Sequence, residues 1–151
     1  MNIASHREKI AKLEALRARL HPMDDFELWF WAAMNAGTHA VNAALHHAGV
    51  TDPSDRFPTQ PGVYLVPQAG GALEPKLGPL GDVLHVGRPK VEAPVPADVA
   101  EMMKAMEIIE HHRDPCIRGE REPTQAIADE CAAALGRVLA IYERRLGEAR
   151  A

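Results

Sequence analysis

What the chain lacks narrows its identity first. It holds two cysteines, Cys116 and Cys131, in 151 residues, with no Cys-x-x-Cys spacing. That excludes a disulfide-stapled framework and a zinc knuckle, and it fits a reducing, cytoplasmic setting. Serine occurs only at Ser5 and Ser54, neither in the Gly-x-Ser-x-Gly turn that presents a nucleophile. Walker loops and the Gly-x-Gly-x-x-Gly turn are absent, which removes the usual phosphate cradles. Positive charge is in deficit, with a net charge of −4. No global field is therefore available to gather nucleic acid, and such a partner is not expected. The first twenty residues carry no apolar signal core.

A more local absence lies between Leu28 and Val50, where there is no Asp, Glu, Lys or Arg. About 20 apolar residues can cross a bilayer. Here, however, Asn35, Thr38, His39, Asn42, His46 and His47 interrupt the run, and much of the rest is Ala and Gly. The segment is too weakly hydrophobic for a membrane span. It reads as a helix enclosed by other protein.

The residues present describe one globular domain over 1–151, with 46% hydrophobic and 25% charged residues. Four helices are predicted from their start signals. Ser5 with Glu8 has the spacing of a capping box, followed by Ile10, Leu13, Leu16 and Leu20 and ended at His21-Pro22. Asp24 with Glu27 repeats the box for a second helix of about 24 residues closed by Gly49. Asp98 with Glu101 opens a third, with Val99, Met102, Met103, Met106 and Ile109 on one face and Asp114-Pro115 as its stop. Pro123 or Thr124 starts the fourth, whose apolar face is Ile127, Cys131, Leu135, Val138 and Tyr142.

Between the second and third helices, residues 50–95 are rich in proline and glycine. Two β-prone runs, Val63–Val66 and Val83–Val86, could pair there as a small hairpin. The expected fold is all-α, a four-helix bundle with this insertion as its central crossover. Gly37 and Gly136 fall mid-helix, where glycine costs about 1 kcal/mol against alanine. Close approach of another backbone and a tolerated weak spot are both adequate readings.

The second helix carries the most distinctive pattern. Phe26, Phe30, Ala33, Gly37, Val41, Ala44 and Ala48 form one face; Asn35, His39, Asn42 and His46 stack in a row on the other. Burying such groups requires a hydrogen-bond partner for each. The favoured reading is a polar ladder between helices or across a twofold dimer interface. The alternatives are a pocket for a small ligand and an enzymatic metal site. His39 and His46 lie ~10.5 Å apart along the axis, too far for easy co-ligation. Were a metal bound, Glu107 and His111 of the third helix would have to join them. No cofactor is called for.

The connector from His112 to Pro123 offers Arg113 and Arg118 as a clamp for an anionic ligand. The neighbouring Asp114, Glu120 and Glu122 favour a salt-bridged turn instead, and His111 and His112 read as solvated residues of a helix end. The charged face of the first helix likewise reads as solvated.

The run Phe30-Trp31-Ala32-Ala33-Met34-Asn35-Ala36-Gly37-Thr38-His39-Ala40-Val41-Asn42-Ala43-Ala44-Leu45, with Met106 to Arg113 before a polar turn, resembles the HEPN helical domains of prokaryotes. The resemblance implies a bundle that dimerises through its second helix. Ribonuclease members carry an Arg followed after four to six residues by His, whereas no histidine follows Arg113 or Arg118 here. The resemblance thus implies a homodimeric binding module rather than an RNA-cleaving protein.

Overall fold

The structure is a computed structural model, and it describes residues 1–53, 63–77, 82–83, 86–87 and 93–147. Its order is α1 (Ile3–Arg17), α2 (Phe26–His47), β1 (Val63–Pro67), β2 (Leu73–Leu77), α3 (Ala97–Arg113), a π-helical turn (Asp114–Arg118) and α4 (Gln125–Gly147). The architecture is the expected all-α four-helix bundle.

Helix starts follow local chemistry, with shifts from expectation. Asn2, not Ser5, caps α1: its side-chain oxygen accepts the Ser5 N–H at 2.8 Å. Thr124 caps α4 by accepting the Ile127 N–H at 3.3 Å. The Asp24/Glu27 box does not form; α2 begins at Phe26, while Asp25 accepts the His21 N–H at 2.9 Å. Gly49 takes the left-handed φ of 69° expected at the end of α2. Asp114-Pro115 does not stop the third helix outright. Proline has no N–H to return to the preceding turn, so the chain widens into a π turn closed by Gly119 N–H to Asp114 O at 2.7 Å.

Helix α2 is the centre of the bundle, packed against α1, α3 and α4. Phe30, Ala33, Val41 and Ala44 are fully buried on the face predicted for them. They meet Met102, Met106 and Ile109 of α3 and Cys131, Leu135 and Val138 of α4 in one core. Gly37 is explained by close approach, though of a side chain: a Cβ there would run into Met106 Sδ and lie 2.9 Å from Met106 Cε. Nothing lies within 4 Å of the corresponding position on Gly136, so that glycine is the tolerated weak spot. At the far end of the bundle Arg145 donates two hydrogen bonds, of 2.8 and 2.7 Å, to the Asp98 carboxylate and ties α4 to the start of α3.

The insertion does contain a hairpin, but with another second strand. β1 pairs antiparallel with β2, in the register Val63↔Leu77 to Pro67↔Leu73. Val83 cannot be its ladder partner because the Asn42 side chain takes both of its backbone groups. Leu84 and His85 lie outside the described residues. Among the described residues, no helix is long and apolar enough to cross a membrane.

Candidate metal centre

Helix α1 presents His6 on its buried face, one turn before Ile10, and both side chains are enclosed. The His6 ring lies between two histidines of α2, with ring centroids 5.1 Å from His39 and 5.4 Å from His46. Two turns separate His39 from His46, too far for them to meet directly, and a ring from α1 fills the gap. His6 Nδ1 is 2.9 Å from His39 Nδ1.

The insertion supplies the acid. Asp82 Oδ1 is 3.1 Å from His6 Nε2 and 3.0 Å from His46 Nε2, and the Met1 amino group is also within 3.0 Å. Asn42, between the two α2 histidines, holds this segment in register. Its Nδ2 donates to Val83 O at 2.7 Å and its Oδ1 accepts the Val83 N–H at 2.6 Å, as a strand neighbour would. The second N–H of the same amide goes to Thr38 O at 3.0 Å. Behind His46, Nδ1 faces both the Thr51 hydroxyl, at 2.7 Å, and the Thr51 carbonyl, at 3.2 Å.

These groups fit a metal ion. One ligand atom each from His6, His46 and Asp82 lies within 4.8 Å of the others. Ligands held about 2.1 Å from a tetrahedral ion are roughly 3.4 Å apart, and Asp82 Oδ1 lies close to that spacing from each of the two nitrogens, at 3.1 and 3.0 Å. Both nitrogens that face Asp82 are Nε2, and each Nδ1 behind them has a polar partner. That second layer of contacts is the usual support of a metal-binding imidazole.

The electrostatics favour a charged Asp82 carboxylate and a neutral His39 ring. Burial pushes the Asp82 carboxyl up, but hydrogen bonds from His46, His6 and the Met1 amine outweigh it and hold it far below the usual range. Burial, then the neighbouring His6 and Lys9, lower His39 from 6.5 to about 4, against the opposite pull of Asp82. Both shifts are depressions, so the unfolded chain binds more protons than the folded one at acid pH, and stability falls as pH falls. The His39 part is lost between pH 6.5 and about 4. Denaturant unfolding of metal-free protein is expected to show this decline, and His39→Gln is expected to flatten it. An equal slope in the variant would remove His39 as its source.

The predicted row therefore divides. His39, Asn42 and His46 join the centre, whereas Asn35 is exposed and donates to Trp31 O at 2.8 Å within its own helix. Its expected burial is corrected: the side chain lies on the exposed edge of α2. The conditional metal set of His39, His46, Glu107 and His111 is not brought together. Glu107 and His111 line a separate depression of about 480 Å³ along α3 and α4, together with Lys104, Ile108, His112 and Glu130. Nor is His112 solvated; it is buried, with Nε2 2.7 Å from Glu130. Arg113 and Arg118 both face Asp114, at 3.1 and 3.5 Å, which is the salt-bridged turn and not an anion clamp.

Sequence reading missed His6 and Asp82. The first had a signal, since it precedes Ile10 by four and Leu13 by seven and so lies on the apolar stripe of α1. Asp82, in a glycine-rich run without periodicity, had none. Comparison with protein-family models, with curated proteins and with solved structures finds no match.

Proposed function

We propose that this chain is a metal-binding helical protein whose centre takes one divalent first-row ion on His6 Nε2, His46 Nε2 and Asp82 Oδ1. The observation that carries the reading is the convergence of these three atoms from α1, α2 and the insertion in an interior where a carboxylate is otherwise costly. Two imidazoles and one carboxylate suit ions such as Zn²⁺, Co²⁺ or Fe²⁺. The His6 and His46 side chains are 0% exposed and that of Asp82 is 14% exposed. Such enclosure leaves little of the open position that an ion turning over substrate needs.

Protein loaded with Zn²⁺ and freed of excess ion is expected to hold about one equivalent by elemental analysis, since the trio forms one site. His46→Ala should lose it, and His111→Ala should keep it. Full retention by His46→Ala would remove the assignment.

A second reading keeps the homodimeric binding module. The buried histidines are covered within one chain, so they no longer demand a second copy. What favours the dimer is the outer edge of α2, where Leu28 is 62% exposed, one stripe with half-buried Trp31 and exposed Asn35. Light scattering of the same preparation counts the subunits, and a monomer at high concentration would remove this reading.

A further inference from the structure

The contacts behind the two histidine ligands can each work in either direction. His46 Nδ1 faces a group that donates, the Thr51 hydroxyl at 2.7 Å, and a group that only accepts, the Thr51 carbonyl at 3.2 Å. His6 Nδ1 faces another imidazole, His39 Nδ1 at 2.9 Å, which donates in one tautomer and accepts in the other. A site meant for a permanent ion needs only acceptors at these places.

We propose that Thr51 and His39 are positioning residues that let this centre exchange its ion reversibly, because they keep every buried ring nitrogen paired with the ion present or absent. The inference rests on the metal-binding reading above. Without an ion, His6 and His46 carry their protons on Nε2 and donate to Asp82 Oδ1. Their Nδ1 lone pairs then accept from His39 Nδ1–H and from the Thr51 hydroxyl. With an ion, both Nε2 lone pairs face the metal, so each ring must hold its proton on Nδ1.

The protons balance. Each ring loses one from Nε2 to solvent and gains one at Nδ1, and both stay neutral. For His6 the incoming proton is the one on His39 Nδ1, and His39 regains one at Nε2 from solvent. For His46 it comes from solvent, and the new N–H donates to the Thr51 carbonyl while the hydroxyl turns away. Neither state leaves a ring nitrogen of His6 or His46 unpaired, which would otherwise oppose ion release by a large desolvation term. The two α2 histidines thus divide the work: His46 holds the ion, and His39 answers for the ring of His6.

Two measurements on the full chain test this with Zn²⁺ as the probe. Nitrogen-15 spectra of the imidazoles are expected to show His39 protonated at Nδ1 in ion-free protein and at Nε2 in the loaded form. An unchanged His39 tautomer would overturn the proposal. Thr51→Val removes the only donor among the described residues to His46 Nδ1 in the ion-free state but leaves the carbonyl that serves the loaded state. Zinc affinity by calorimetry should therefore rise, about three- to tenfold. If Thr51 serves merely to support a fixed ligand, the variant should instead bind 10- to 100-fold more weakly. That result would refute reversible exchange and leave the metal site standing; no zinc binding by the unaltered protein would remove both.

Discussion

Asn42→Ala is expected to lower the unfolding free energy of the metal-free protein by about 3–4 kcal/mol. Asn42 is 1% exposed and Val83 3% exposed, so water does not readily replace a lost partner at either. Truncation strands the Val83 N–H, now bonded at 2.6 Å, and the Val83 carbonyl, now bonded at 2.7 Å. Each unsatisfied buried group costs roughly 1–3 kcal/mol, and relief from burying the amide returns only part of it. Urea unfolding measures the difference. A loss below about 1 kcal/mol would mean that the Asp82–Val83 segment is held by something other than this amide.

The second large effect is expected at Gly37. Gly37→Val should destabilise by about 2–3 kcal/mol, because its Cβ and two methyls must displace Met106 from a fully enclosed position. Methionine is adaptable, which limits the damage, but Leu135 Cδ1 lies 3.5 Å from the same Cβ position and narrows the room. Gly136→Ala is the internal control. That site is exposed and open, so alanine should add about 0.5–1 kcal/mol through helix propensity alone. Two mid-helix glycines in one chain should thus respond with opposite signs in thermal or urea unfolding. If Gly37→Val were as well tolerated as the exposed substitution, the packing of α2 on α3 described above would be wrong.

The bundle was legible because periodicity and proline report directly on helices. Met102, Met106 and Ile109 recur at helical spacing and are all buried, and α2, free of Asp, Glu, Lys and Arg from Leu28 on, is the central helix it had to be. The site was half legible for a physical reason. His39, Asn42 and His46 stand out because an uncharged helix has no ordinary use for them. His6 sits in a short, charge-rich helix where a single imidazole on the apolar stripe looks like any other amphipathic position. Asp82 becomes informative only in three dimensions, through Asn42. The hairpin shows the same limit. Val83–Val86 has the β-prone composition of a strand, yet an asparagine side chain, not a backbone, supplies its pairing at Val83. Helix ends depend on single hydrogen bonds, and those moved: Asn2 outcompeted Ser5 as the cap of α1, and Pro115 widened a helix it was expected to end.

The connection from Asp82 back to His6 spans 76 positions, whereas His6 meets His39 across 33. This difference favours one order of assembly. Contacts close in sequence form before distant ones, so the α1–α2 pair can gather its three imidazoles first. On the ribosome these helices are made before the aspartate exists, and the young hairpin carries a cluster of nitrogen donors with no anion to balance a captured cation. The carboxylate arrives last and brings the one negative charge of the set.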